Sequence, residues 1–391
     1  MTQDNSPSPS GPSKGLSTSG IGIMPSMAAA GHATAGPDTE ASHDRPGYTL
    51  CKWVERFMGT PAGQVPVIRT QLDTGDRIAT ALVRCGINRH RYMVAPGLYA
   101  VGQPDAGSEV LVTANFKLTF DHLRTQLPDI NAWVLVLDTK GVNVWCAAGK
   151  GTFSTGELVR RIAASDLEKI VTHRRLIVPQ LGATGISARD VKSRSGFRVV
   201  YGPVRASDLP RFLENKRRTD PGMRDVTFTF LERIILTPVE VQIVLKPALL
   251  TALVLFILSG IGPGIFSFAS AWTRGLTGLG AMAAGILSGA VVTPMLLPFI
   301  PVKEFALKGI ISGCFAATAF LVALPTSAAT FVTGLSLFLF TVAVSSFLAM
   351  NFTGTTPFTS PSGVEKEMKR YIPVQLTCLV LSSGFWIYGA F

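Results

Sequence analysis

The chain lacks the residue patterns with which a protein holds a metal or cluster by itself. Its five cysteines are Cys51, Cys85, Cys146, Cys314 and Cys378, and no two stand at C-x-x-C spacing. That spacing marks most zinc sites and iron–sulfur clusters, so neither is expected in this chain. An odd, scattered set is no disulfide framework either, and fits a reducing compartment. The five histidines are His32, His43, His90, His122 and His173. None has the context of a cysteine-hydrolase base, which counts against a cysteine nucleophile. Charge is also scarce. Charged residues make up 16% of the chain against 47% hydrophobic, too apolar for an ordinary soluble protein. The charge present is unbalanced, at a formal +11. No nucleic-acid-binding motif accompanies it, so an anionic lipid or ligand is the expected partner, not nucleic acid. The N-terminus has no basic stretch joined to an apolar one, so no signal peptide is expected.

What is present divides into four parts. Residues 1–45 are rich in Ser, Gly, Pro and Ala without apolar period and read as a disordered tail. Residues 46–224 alternate short β-branched apolar runs with helical segments. The runs are Val110–Val112, Trp133–Leu137, Leu176–Val178 and Phe197–Tyr201. The helical segments are Phe116–Gln126, one opening at the S-x-x-E capping box Ser154–Glu157, and one following Ser207 and Asp208. This pattern predicts an α/β domain, Rossmann-like and doubly wound, with ligands beyond the carboxyl ends of parallel strands. Residues 225–246 form an amphipathic connector. Residues 247–391 carry five apolar stretches of membrane-spanning length, near 247–269, 276–298, 305–325, 329–350 and 372–390. Lys246, Lys303, Lys308, Lys366, Lys369 and Arg370 fall on one side of this arrangement and Arg274 alone on the other. The positive-inside rule then puts the α/β domain and the 351–371 loop in the cytoplasm, at the inner membrane.

The stretch Asn143–Lys150, NVWCAAGK, follows the run AWVLVLDTKG and so lies at a strand's carboxyl end. It is not a P-loop: Val144 stands where the first glycine belongs, and Gly151 where Ser or Thr must follow the lysine. Gly149, Gly151 and Gly156 are wrongly spaced for a dinucleotide fingerprint. Buried packing accounts for Cys314 and Cys378 within spans, and for Cys51 and Cys85. Cys146 is different. It opens a short helix, where free N–H groups favour a thiolate. With Ala147, Ala148 and Gly149 beside it, the helix offers a flat face and one soft ligand, suited to a planar metal-bearing macrocycle.

The segment NVWCAAGKGTF resembles the cap helix of the HgcA family, the corrinoid proteins of microbial mercury methylation. The resemblance extends over VTANFKLTFDHLR (112–124), VLDTKGVNVWCAAGKGTFST (136–155), HRRLIVPQLGATG (173–185), YGPVRASDLPRFL (201–213), TFLERIILTPVE (229–240) and NFTGTTPFTSPSGVEKEM (351–368). The α/β part is also similar to the corrinoid domain of the corrinoid iron–sulfur protein of acetyl-CoA synthesis. The D-x-H-x-x-G motif of other corrinoid proteins is absent. The resemblance implies a base-off, cobalamin-type corrinoid with Cys146 as lower axial cobalt ligand. Asn143, Val144, Trp145, Ala147, Ala148, Gly149 and Lys150 match the remaining cap motif, and Thr113 and Asn115 are expected to join them around the cofactor. Hg(II) is an electrophile, so a methyl group passed to it must leave cobalt with added electron density, which a thiolate ligand supports.

The family further implies a small ferredoxin-like partner with two 4Fe–4S clusters, and an upstream methyl-donor protein. The hydroxyl-rich 351–371 segment, with Thr353, Thr355 and Thr356, is expected to close over the corrinoid. Two other readings stand beside this one. One is a corrinoid methyl carrier of one-carbon or acetyl-CoA metabolism. The other is a transporter with a cytoplasmic nucleotide-binding domain, against which counts the lack of an acidic residue within the spans.

Overall fold

Seven strands pair into one sheet in the computed structural model, which describes residues 51–325, 330–356 and 361–391; the tail expected over 1–45 lies outside these. They are β1 (Val54–Thr60), β2 (Gly63–Ile68), β3 (Gly97–Val101), β4 (Glu109–Ala114), β5 (Ala132–Leu137), β6 (Arg175–Val178) and β7 (Arg198–Tyr201). Their spatial order is β1-β2-β3-β5-β4-β6-β7. The block β5-β4-β6-β7 is parallel, as the unbroken apolar runs imply. The sheet as a whole is mixed: β1 and β2 form an antiparallel hairpin and β3 lies antiparallel to β5. A doubly wound pattern predicts parallel strands throughout. The antiparallel hairpin escapes sequence reading because β1 is largely exposed, with no run of buried residues.

Seven helices accompany the sheet: α1 (Thr74–Arg84), α2 (Lys117–Arg124), α3 (Val144–Gly149), α4 (Thr155–Ala164), α5 (Leu167–Ile170), α6 (Ala188–Ser195) and α7 (Leu209–Glu214). They cover both faces, because the strands alternate side chains between two cores. Along β5, Trp133, Leu135 and Leu137 join the core under α3, α4 and α6. Ala132, Val134 and Val136 join the core under α2 and α7. The capping box at Ser154 is half formed. Ser154 accepts from the Glu157 N–H at 3.3 Å, but the Glu157 carboxylate turns to Asp138 N–H and to Arg160 and Arg161. A buried ion network fixes the approach to α1. Arg124, 1% exposed, donates to the Arg69 and Gln71 carbonyls and to Asp76 and Asp121, while Lys117 bridges the same two carboxylates.

The rest is helical. Among the described residues five helices are long and apolar enough to cross a membrane: α8 (Phe230–Gly260), α9 (Phe268–Leu287), α11 (Phe305–Ala323), α12 (Phe331–Phe352) and α13 (Pro361–Tyr388), with a π turn and the short α10 (Thr293–Met295) extending α9. Two boundaries differ from expectation. The connector and first span are one helix, started by a complete capping box between Thr229 and Glu232. That helix stops at Gly260, short of 269, since Pro263 between two glycines ends it and a tight hairpin, Ile261–Gly262 with Ile265–Phe266, follows. The segment 351–371 is mostly helix too. α12 runs to Phe352, a 3-10 turn covers Thr353–Thr355, and α13 starts at Pro361, its first turns supported by the Glu365–Lys369 pair. Residues 357–360, with Thr359 and Ser360, lie outside the described residues.

Candidate functional site

The turn from β5 into α3 is held by one side chain at the end of β4. Asn115, 3% exposed, accepts through Oδ1 from Thr139 N–H (3.1 Å), Thr139 Oγ1–H (2.8 Å) and Gly141 N–H (3.0 Å), and donates through Nδ2 to Asp138 (3.2 Å). Its polar atoms are thus committed to shaping the loop that launches α3. Gly141 has φ +70, and a Cβ there would come within 2.7 Å of the Met93 side chain, so only glycine suits this turn. Asn143 then caps α3, its Oδ1 accepting from the Cys146 N–H at 2.9 Å.

α3 has an inner and an outer face. Val144, Ala147 and Ala148 are buried in the sheet core. Trp145, Cys146, Gly149 and Lys150 are exposed. The small alanines therefore do not widen the face that carries Cys146; they let the helix approach the 182–185 turn. A Cβ on Gly185 would meet Phe153 O at 2.0 Å and Ala148 Cα at 3.1 Å, which measures how close that approach is. On the outer face the neighbour that stays flat is Gly149, three residues from Cys146, where an added Cβ would meet nothing within 4 Å. Among the described residues no group of three or more His, Cys, Asp or Glu side chains is placed to hold a metal ion.

Beside α3 lies a cavity of about 440 Å³ beyond the carboxyl ends of β4, β6 and β7, where the strand pattern expects a ligand. Five of the six sequence segments quoted above converge on it. The first gives Thr113, Phe116 and Thr119; the cap helix Asn143, Val144 and Trp145; the third Ile177, Pro179 and Leu181; the fourth Gly202 to Ala206; and the start of α8 Ile235, Leu236 and Val239. Cys146 itself stands outside the lining, on the exposed face next to it. Arg84, Arg89 and His122 complete the wall. Sequence reading missed all three, since nothing local marks them. Arg89 lies over the Phe116 ring at 5.0 Å and donates to the Val83 carbonyl at 3.4 Å. Burial holds its guanidinium below the ordinary value and the nearby Arg84 charge adds to this, while Cys146 and Glu240 act in the opposite direction. Burial also lowers the His122 imidazole, again with Arg84 adding.

The 351–371 segment contributes nothing to this wall among its described residues. Thr353 and Thr356 are buried, and the Thr356 hydroxyl donates to Thr353 O at 3.1 Å. The adjoining Phe352 stacks near Phe228 with ring centroids 6.1 Å apart and packs with Leu297, Phe305 and Leu236. Thr355 lies in the same turn. The element that covers the cavity is α8: Leu236 faces both this cluster and the cavity.

Comparison with known proteins points to the same region. Residues 88–213 match the family model described as CO dehydrogenase/acetyl-CoA synthase delta subunit. The acetyl-CoA decarbonylase/synthase complex subunit gamma of Methanopyrus kandleri is 42% identical over 126 residues, 32% of this chain and 27% of that protein. Subunit gamma 2 of Methanosarcina thermophila is 36% identical over 124 residues, 30% of this chain and 25% of the relative. Subunit gamma of Archaeoglobus fulgidus is 32% identical over 123 residues, 31% and 26% of the two chains. The chain thus spans about a quarter of the length of these relatives. The matched segment contains α3 and most of the cavity wall; α8 and the other long apolar helices lie outside it.

Proposed function

We propose that this chain is a membrane-anchored corrinoid protein that carries a methyl group on cobalt, with Hg(II) as the acceptor and Cys146 as the lower cobalt ligand. The observation that carries the reading is the outer face of α3, where an exposed thiol stands with the open Gly149 at i+3, beside a cavity built from five segments of the corrinoid-type pattern. The residues suit a corrinoid. The face is flat next to the thiol, the helix is pinned from behind by Ala148 against Gly185, and the thiol is a single soft donor. When bound, the corrinoid supplies a cobalt-held methyl group that can pass to an acceptor. The rest is the protein's part. Cys146 would hold the cobalt as a soft, electron-rich donor, the chemistry that suits passing a methyl group to an electrophile such as Hg(II). Asn143 holds the backbone of Cys146, and Asn115 holds the loop before it. α8 gives the cavity an apolar wall through Ile235, Leu236 and Val239. Trp145 and Lys150 flank the thiol on the exposed side.

Cycling such a cobalt centre needs an electron donor, and the proposed one is a small protein with two 4Fe–4S clusters. An upstream protein supplies the methyl group. The asymmetry of basic residues supports an α/β domain on the cytoplasmic side of the inner membrane. The acetyl-CoA-complex names of the relatives favour a second reading, a methyl carrier in one-carbon metabolism. Anaerobic purification with partner and methyl donor, followed by measurement of methylmercury, tests the first. A corrin spectrum with methyl transfer to a carbon-metabolism acceptor and none to Hg(II) would establish the second. A colourless protein that takes up no corrinoid would end both.

A further inference from the structure

Arg84, Arg89 and His122 meet on one wall of the cavity with too little negative charge to balance them. The Arg84 side chain makes no hydrogen bond and no ion pair among the described residues, and Asp76 of its own helix is taken by Lys117 and Arg124. Arg89 is held by a carbonyl and a ring, not by a carboxylate. The acidic group that faces it is Glu240 of α8, 6% exposed, which forms no ion pair with it. Arg205, also in the lining, is a contrast, because Glu232 pairs with it at 3.0 Å. The three side chains line one cavity, where burial and then the neighbouring Arg84 charge both disfavour the charged forms of Arg89 and His122. A protein gains nothing in stability from gathering like charges around an apolar hollow, and such a wall is suited to an anion.

We infer that Arg84 and Arg89, with His122 at the rim, form a phosphate-binding subsite next to the Cys146 face. Its ligand is the phosphate of the corrinoid's nucleotide tail. This rests on the corrinoid reading and adds to it the place where the displaced tail is held. The position suits that ligand. Arg84 and Arg89 line the same cavity as Asn143, Val144 and Trp145, at the start of the helix that carries Cys146, so a group bound on the thiol face has the cluster at its side. The planar guanidinium fork matches phosphate oxygens, and Thr119 in the same wall adds a hydroxyl donor. An anionic lipid headgroup has the same chemistry and is the competing source. The tail is favoured because the wall belongs to the cavity that adjoins the thiol.

The test compares cobinamide with cobinamide phosphate. They differ by a phosphate, and neither carries a base that could coordinate cobalt. Binding to the full chain in detergent is read from the corrin visible spectrum. The wild type is expected to bind the phosphate form at least about tenfold more tightly, the effect of one charge-assisted contact. Arg84→Gln, which removes a side chain without hydrogen bonds of its own, should lose most of that preference and keep its affinity for cobinamide. Arg89→Gln should do the same. Equal affinity of the wild type for both corrins overturns the inference, and so does a preference that survives in Arg84→Gln. Binding of phosphatidylglycerol that depends on Arg84, without discrimination between the corrins, overturns it in favour of lipid. A wild type that binds neither corrin removes the corrinoid reading itself, a result distinct from the others.

Discussion

Gly149 offers the sharpest separation of folding from function. It closes α3 at an ordinary helical φ, and a Cβ added there has no heavy atom within 4 Å. The Cβ of a leucine placed there meets nothing, and the position is exposed, so the rest of the side chain can extend into solvent. The substitution also removes the excess backbone freedom of glycine in the unfolded chain, worth roughly 0.5–1 kcal/mol in a helix. The apo protein should be unchanged or slightly more stable. The new side chain, however, stands at i+3 from Cys146, on the face proposed to carry the ring. It would hold a macrocycle off the thiol, and corrinoid affinity should fall by at least about a hundredfold, or ~2.7 kcal/mol. Gly185→Ala is the mirror case. Its Cβ would meet backbone at 2.0 Å and 3.1 Å, so α3 must shift, at a cost of about 1–3 kcal/mol from overpacking. Thermal unfolding in detergent reads the first effect, and corrin titration in the visible reads the second. Wild-type corrinoid affinity in Gly149→Leu would show that the ring does not lie on this face. Clear destabilisation of apo Gly149→Leu would refute the claim that the position is open.

Cys146→Ala should leave stability within about 0.5 kcal/mol, because the side chain is exposed, yet abolish methyl transfer to Hg(II) in a methylmercury assay. Cys146→His should transfer poorly, since imidazole is the weaker electron donor. Asn143→Ala should cost about 1 kcal/mol through loss of the cap, read by denaturant unfolding, and speed corrinoid release in a spectroscopic chase. Arg124→Met should cost about 3–5 kcal/mol, because it leaves Asp76 and Asp121 with Lys117 alone and the Arg69 and Gln71 carbonyls without their donor. The same network predicts a pH effect. Burial raises the Asp76 carboxyl, but Lys117 and Arg124 outweigh it and hold it below 3.8, so its contribution is present above that pH and lost as pH falls through the lowered value. The acid limb of a stability–pH curve should be shallower in Arg124→Met. A reporter fused after Phe391 should be extracytoplasmic, and one inserted within 357–360 cytoplasmic; both on one side would contradict the five-span arrangement.

The four parallel strands, the helices after Ser154 and Asp208 and the five apolar spans were legible because each is encoded by local pattern. Unbroken β-branched runs, a capping serine and stretches of membrane length need no knowledge of distant residues. The hairpin partner β1 was not legible, since a largely exposed strand carries no such signature; β3 is buried, but its antiparallel pairing to β5 is a long-range choice that no local pattern encodes. Cys146 was singled out by its neighbours in sequence and not by exposure: Cys85, expected to be packed, is exposed as well, at the end of α1.

The orientation of its helix was another matter. Which of Trp145, Ala147, Ala148 and Gly149 share a face with Cys146 depends on how α3 docks against Gly185, thirty-six positions beyond Gly149 in the chain. The assignment of α8 as the cover of the cavity was likewise decided by packing, as Leu236 sits between the cavity and Phe352. So was the cationic wall. Arg84, Arg89 and His122 come from α1, the 89–91 turn and α2, and nothing in their local sequence pairs them. Local sequence sets what each segment can become, because helix caps and apolar periods act over a few residues. Which segments meet is set by burial of their faces against one another, and the charges that this burial brings together are a property of the folded chain alone.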